Sequence, residues 1–337
     1  MRTAVLRGVR DVALEERPVP EPGPREVLIR VASVGVCGSD VHYYEHGRIG
    51  QYIVKQPLVL GHEASGEVVA LGRGATRHSV GQRVSLEPGV PDFTCEQCRA
   101  GRYNLCPDVR FFATPPIDGA FCEYVVLHES FAHPVPESMS DDAAALLEPL
   151  SVGVWACRKG EVSPGDRVLV NGAGPIGLVA AQTALAFGAT EVVATDVNPV
   201  RLRMASDLGC TDVIDVTATP LADAGYQPDV LLECSGHPGA TAAAIRTVAR
   251  AGRVVLVGMG GDEIGLPLSY VQDHELRLTG TFRYANTWPT AIALVHSGRV
   301  DLDRLVTSRH PLADAEAALT SGTRDPKSVK PIVRPGE

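Results

Sequence analysis

The stretch from Asp166 to Asp196 constrains the fold most. It runs as an apolar strand, DRVLVNG, then Gly172-x-Gly174-x-x-Gly177, a helix to Phe187, a second strand EVVAT, and Asp196, 19 residues beyond the last glycine. A glycine triplet of this spacing means little alone. It gains weight when it follows a strand, opens a helix and has an acid about 20 residues on. Here all three conditions hold. The turn that includes Pro175 and Ile176 lets the backbone approach a pyrophosphate at the positive helix end. Asp196 can accept from both ribose hydroxyls and would repel a 2′-phosphate, which favours NAD over NADP.

The strand–helix alternation continues through VIDV, DVLLECSG, a helix over 240–249 and RVVLVGMGG. This pattern predicts a doubly wound parallel sheet with its ligand at the carboxyl ends of the strands. Val257, Gly258 and Met259 end one such strand. Thr281, Phe282 and Arg283 end the next, within ELRLTGTFRYANTW.

A chain of 337 residues has room for a second domain of similar size. Residues 1–150 read as β-rich, with short alternating runs such as EVLIRVASV, ASGEVVALG and FCEYVVLHE between Gly and Pro turns. A helical stretch from Ser140, a plausible N-cap, links the domains. The segment 287–337 holds two short helices, over 289–297 and 313–321, and a last strand, VKPIV, too little for a third domain. A net charge of −9 gives no field for a polyanion, so nucleic acid is excluded as a partner. The N-terminus lacks the pattern of a signal peptide, and no apolar run approaches the roughly 18 residues of a membrane helix. The expectation is a cytoplasmic protein.

Chemistry concentrates between Gly35 and Val69, in GVCGSDVHYYEHGRIGQYIVKQPLVLGHEASGEVV. Cys37 ends one β-patterned run, and His62-Glu63 follow a short apolar strand. Pairing those strand ends would converge a thiolate, an imidazole and a carboxylate. That set suits Zn²⁺, and three protein ligands leave the fourth position open, as catalytic zinc requires. A second cluster, Cys95-x2-Cys98-x7-Cys106, has the close spacing of a structural zinc but only three cysteines. In a reducing compartment such a cluster indicates metal more often than disulfide. Cys122, Cys157, Cys210 and Cys234 lie in apolar surroundings and read as small buried hydrophobes.

The tracts CGSDVHYYEHGRIG and PLVLGHEASGEVV resemble, almost residue for residue, the catalytic-zinc segment of the medium-chain dehydrogenase/reductase superfamily, and within it the sorbitol (polyol) dehydrogenase family. The resemblance implies an α/β protein: a GroES-like β-barrel catalytic domain at 1–150, a Rossmann domain at 151–286, and a return to the catalytic domain at 287–337. It implies a proton relay through Ser39 and His42, and a substrate-facing Tyr43. Glu148, in LLEPLSVG, matches a carboxylate that binds the zinc or its water, which leaves open whether Glu63 or Glu148 is the inner ligand. Arg283-Tyr284 resembles the family's polyol-binding pair. Val257 to Met259 and Thr281 to Arg283 match positions around the nicotinamide half, and Arg201 matches a residue beside the adenosine. An arginine near that site is also what NADP enzymes use.

In the superfamily the cysteine lobe runs Cys-x2-Cys-x2-Cys-x7-Cys, and Asp92 occupies the first position. A second zinc would therefore be held by Asp92, Cys95, Cys98 and Cys106; polyol dehydrogenases often lack this metal. The implied reaction is NAD-dependent oxidation of a sugar alcohol to a ketose, in a homotetramer paired along the strand ELRLTGTF. The sibling reading is a threonine or secondary-alcohol dehydrogenase. A non-catalytic NAD-binding regulator would be expected to have lost ligands of the open zinc site, and Cys37, His62 and Glu63 are all present.

Overall fold

The computed structural model describes residues 1–261 and 263–337. It divides into two compact units, Met1–Glu148 with Leu302–Glu337, and Pro149–Asp301.

The first unit is built on antiparallel strands, apart from the parallel pair Val306–Pro311 and Lys330–Arg334. Arg2–Gly8 pairs with Asp11–Glu16 on one side and Leu58–Val59 on the other. The larger sheet runs Ala132–Pro134, Arg83–Leu86, Glu63–Leu71, Glu26–Gly35, Lys330–Arg334 and Val306–Pro311, and Tyr124–His128 also pairs with Glu26–Gly35. Glu26–Gly35 begins with strand alternation: Val27, Ile29 and Val31 are buried and Arg30 is exposed. From Ser33 onward every residue is buried, because the C-terminal strand Lys330–Arg334 joins there, with Ile332 opposite Gly35. The same register sets Gly35 opposite Glu63 on the other flank.

Buried Asp142 fastens the returning tail. It accepts from Ser33 Oγ at 2.7 Å, Arg309 Nε at 2.7 Å and an Arg334 guanidinium nitrogen at 3.0 Å. Burial pushes its carboxyl up, but the Ser33 hydroxyl and the two arginines together more than reverse this and hold it below the ordinary range.

Ser140 caps its helix as expected, its Oγ accepting from Ala143 N at 2.9 Å. The helix does not run unbroken through 140–160. It spans Asp141–Ala145, and a second begins at Leu147–Lys159. Pro149 explains the break: it has no N–H for the Ala145 carbonyl, and its ring crowds that group.

In the second unit the strands Asp212–Asp215, Glu191–Asp196, Arg167–Asn171, Val230–Glu233, Arg253–Leu256 and Arg277–Gly280 lie side by side in that order, all parallel. In chain order this is 3-2-1-4-5-6, the doubly wound arrangement. The middles of its central strands are apolar on both faces because helices cover both; Val168 to Val170 and Val230 to Leu232 are fully buried.

Residues 287–301 differ from the sequence-based division, which assigns them to the returning segment. They pack on the second unit. Trp288 is fully buried, with its ring 5.1 Å from that of Tyr284. Arg158 donates to Asn286 O at 2.8 Å and Thr290 Oγ1 at 2.7 Å, and Gln182 Oε1 accepts from Asp301 N at 2.8 Å. The return begins at Leu302. Two helices are also placed differently, at Pro238–Ile245 and Ala315–Arg324. Among the described residues no helix is long and apolar enough to cross a membrane.

Candidate active site

Strand register alone brings the first cluster together. Glu26–Gly35 delivers Cys37 as the N-cap of the helix Gly38–His46, while Glu63 opens the neighbouring strand opposite Gly35. Ligand atoms of Cys37, His62 and Glu63 all lie within 4.8 Å of one another.

Asp40 and Lys330, two residues not singled out from the sequence, organise this cluster. Asp40 is fully buried and accepts from Cys37 N at 3.0 Å and Gly61 N at 2.9 Å. Its Oδ1 also lies 3.5 Å from His62 Nδ1, which orients the imidazole and leaves Nε2 as the nitrogen for an ion. Burial depresses the His62 pKa, but the charge of Asp40, then that of Cys37, more than reverses this and raises it well above the ordinary value.

Lys330 Nζ donates to both Glu63 oxygens at 2.8 Å and to Val36 O at 3.0 Å, with the lysine and glutamate side chains almost entirely buried. Burial alone would lower the lysine pKa; the charges of Glu63, Cys37 and Glu148 raise it instead. Lys330 thus stays an ammonium and offsets part of the buried negative charge. Each Glu63 oxygen keeps a second lone pair, so the thiolate, imidazole and carboxylate still fit a zinc ion. Glu148, also buried, begins the helix Leu147–Lys159 and acts electrostatically on Lys330.

In the second unit the glycine turn closes as its sequence requires. Gly172 has φ 98°, and a Cβ on Gly177 would fall 1.8 Å from Gly172 O, so neither position accepts a side chain. An added Cβ on Gly174 would meet nothing within 4 Å, and no side chain caps the helix Pro175–Ala186 that starts there. That open, uncapped helix end suits a diphosphate. Asp196 is held by Ala173 N and Asn198 N, each at 2.8 Å and each on a different oxygen. Both oxygens retain a lone pair for a ribose diol, so the cradle fits NAD. Arg201 Nε is buried with no hydrogen-bond partner among the described residues.

The alcohol dehydrogenase GroES-like domain model matches residues 23–137, and the zinc-binding dehydrogenase model matches residues 175–297. A sorbitol dehydrogenase from Bacillus subtilis is 43% identical over 328 residues, 95% of this chain and 92% of that protein. The chain belongs to the sorbitol dehydrogenase family of zinc-dependent medium-chain dehydrogenases.

Solved structures of related proteins agree with that placement. An oxidoreductase/dehydrogenase of unknown specificity from Escherichia coli superposes with TM-score 0.94 at 34% identity, covering 99% of this chain and 98% of that one. An alcohol dehydrogenase from E. coli CFT073, complexed with NADH, gives TM-score 0.93 at 28% identity over 99% of both chains.

The other family positions divide between exposed and buried. Ser39 is half-buried and His42 is exposed, one turn apart on the helix Gly38–His46. Tyr43 is buried in the first unit's apolar core, and Tyr284 is buried beside Trp288 in the second. The last parallel strand stops at Gly280, which puts Thr281, Phe282 and Arg283 in the loop beyond it. Arg283 is left-handed there, φ 52°, with its guanidinium 4.8 Å from the Phe282 ring centroid. Val257 and Gly258 both donate to Glu233 O at 2.8 Å, and Met259 is exposed.

The second metal cluster is present geometrically: ligand atoms of Asp92, Cys95, Cys98 and Cys106 also lie within 4.8 Å of one another. Backbone donation from Cys95 and Thr94, at 3.0 and 2.8 Å to one Asp92 oxygen, holds this carboxyl far below the usual range. The Cys98 thiol is pushed up to about 12, first by desolvation and then by Cys95 and Asp92. Tyr103, inside the lobe, donates to buried Glu87 at 2.6 Å, and Glu87 also contacts His133 Nε2 at 2.8 Å; this chain ties the lobe to the sheet.

Proposed function

We propose that this chain oxidises a secondary hydroxyl of a sugar alcohol to the ketone, with NAD as oxidant, and that Cys37, His62 and Glu63 hold the zinc that activates the hydroxyl. The observation that carries the reading is the convergence of those three ligand atoms beside a fully buried Asp40 and Lys330. Bound zinc supplies a Lewis acid for the hydroxyl oxygen, and bound NAD supplies the hydride acceptor.

The protein's own part is placement and proton transfer. Asp40 fixes the imidazole face, and Lys330 holds Glu63 against the strand end, so that Glu63 serves as the carboxylate ligand while Glu148 takes the water-facing role. Ser39 receives the proton lost by the substrate hydroxyl and passes it to His42, whose exposure releases it to solvent. The family resemblance assigns polyol contacts to Tyr43, Arg283 and Tyr284. Asp196, beside Arg201, reads the ribose as NAD. Asp92, Cys95, Cys98 and Cys106 hold a second, structural zinc. The convergence of Cys95, Cys98 and Cys106 with Asp92 supports a reducing, cytoplasmic setting, where such a cluster indicates metal more often than disulfide. The sheet's edge strand Arg277–Gly280 supports pairing with a second copy, because an edge of this kind requires covering, and the family resemblance extends that pairing to a homotetramer.

A panel of four- to six-carbon polyols, assayed spectrophotometrically with NAD and with NADP, tests the reading. NADH should form from polyols, and Asp196→Ala should narrow the ratio of kcat/KM for NAD over NADP. Turnover confined to threonine or primary alcohols would replace the polyol assignment with the sibling one. An unchanged cofactor ratio in Asp196→Ala would show that this residue does not read the ribose.

A further inference from the structure

Glu233 ends the fourth strand of the parallel sheet in chain order, and the roles assigned so far make no use of its carboxylate. Its side chain is buried, 2% exposed. No cation pairs with it among the described contacts; instead it collects donors. Asn171 Nδ2 donates to Oε1 at 3.1 Å, Ser235 N at 3.0 Å, the Ser235 hydroxyl through a short hydrogen bond, and Gly236 N to Oε2 at 3.2 Å. The carbonyl of the same residue accepts from Val257 and Gly258, each at 2.8 Å. One residue therefore pins its own loop, 234–236, with its side chain and the next strand's end with its main chain.

That loop has no slack on either side. A Cβ on Gly172, the first glycine of the diphosphate turn, would fall 2.9 Å from Ser235 N and Cα. On the other side, a Cβ on Gly236 would fall 2.2 Å from Met259 O, and one on Gly260 would fall 2.0 Å from Gly236 O. The loop is wedged between the turn that receives the diphosphate and the strand end assigned to the nicotinamide half. Asn171 extends the network in the other direction: its Oδ1 accepts from Thr195 Oγ1 at 2.8 Å, next to Asp196.

We infer that Glu233, with Asn171, is a positioning residue for the dinucleotide: the buried chain Thr195–Asn171–Glu233–Ser235 sets the spacing between the ribose acid, the diphosphate turn and the nicotinamide strand end. Glu233 acts through the loop it holds. A carboxylate is needed because it accepts from every one of these donors, whereas an amide would turn an N–H₂ group toward N–H groups. The inference rests on the NAD reading of this cradle.

The test is NADH binding to the zinc-loaded full chain, followed by nicotinamide fluorescence, with thermal melting and zinc content measured on each variant. Glu233→Gln and Asn171→Ala should each weaken NADH by about 10- to 100-fold, the range for losing a residue that orients a ligand-contacting group. The double variant should be little worse than the poorer single, because both act on one network. Zinc content should not change. Ile245→Ala, which empties part of the same unit's core away from the loop, should lower the melting temperature while leaving NADH affinity within about twofold.

If Glu233→Gln fails to fold, Asn171→Ala with the same control carries the test. NADH affinity unchanged in the Glu233 and Asn171 variants, or weakened equally by Ile245→Ala, overturns the inference. Failure of the unsubstituted chain to bind NADH would overturn the cofactor reading beneath it, and the two failures are distinguished by that first titration.

Discussion

The two metal clusters of the first unit use similar ligands under opposite conditions. Cys37, His62 and Glu63 lie at paired strand ends, with Asp40 and Lys330 buried around them and contributed by parts of the chain far apart in sequence. Asp92, Cys95, Cys98 and Cys106 come from a single short segment and organise themselves, with the Asp92 carboxylate held by the adjacent N–H groups. The first arrangement depends on the whole sheet to balance charge, which suits an ion that must keep an open position. The second is local, which suits a clamp. Loss of the first should abolish chemistry, and loss of the second should cost mainly stability.

The largest departure should come from Lys330→Met. It strands the Glu63 carboxylate without its buried cation, an effect of about 3–5 kcal/mol when one partner of such a pair is removed. Urea unfolding should show that loss, and a chelator competition should show zinc affinity lower by about 10- to 100-fold. Adding Glu63→Gln to Lys330→Met should restore much of the stability without restoring activity. If Lys330→Met matches the unsubstituted chain in both measurements, charge compensation is not what distinguishes the two clusters.

Cys98→Ser should act in the opposite sense. The melting temperature should fall by about 5 °C or more, while kcat stays within about twofold, because a lobe tied through Tyr103 and Glu87 braces the sheet. A loss of kcat with an unchanged melting temperature would erase the proposed division of labour.

The smallest effect concerns the clamp on the returning tail that brings Lys330 to the site. Asp142 has a folded-state pKa depressed below the roughly 3.9 of an unfolded aspartate. Its stabilisation is therefore complete above that unfolded value and is lost as pH falls through the folded one. Asp142→Asn should cost about 2 kcal/mol from pH 8 to about 5, with the gap to the unsubstituted chain closing below about pH 4. A gap constant down to pH 3 in urea titrations would contradict this.

The closure of the glycine turn beside Asp196 and the clustering of the lobe cysteines were legible from local spacing, and the clustering of Cys37 with His62-Glu63 from the two strand ends that carry them. Residues that act through long-range pairing were not. Lys330 reads as one more surface lysine in VKPIV, and only the pairing of Ile332 with Gly35 carries it behind Glu63. Asp40 stands within the quoted SDVH tract, yet its burial depends on Gly61 arriving from another segment. Glu233 similarly needs Asn171 from the neighbouring strand. The 287–301 segment was misassigned because its helix periodicity says nothing about which unit covers Trp288.

The most direct test of the central claim is to measure zinc content and polyol-dependent NADH formation on the same preparations of the unsubstituted chain, Cys37→Ala and Cys98→Ser. Cys37→Ala should lose the zinc of the strand-end cluster and nearly all turnover, while Cys98→Ser loses the lobe zinc and keeps its turnover. Full turnover in Cys37→Ala, or full turnover of the unsubstituted chain after exhaustive chelation, would contradict the assignment of the chemistry to Cys37, His62 and Glu63.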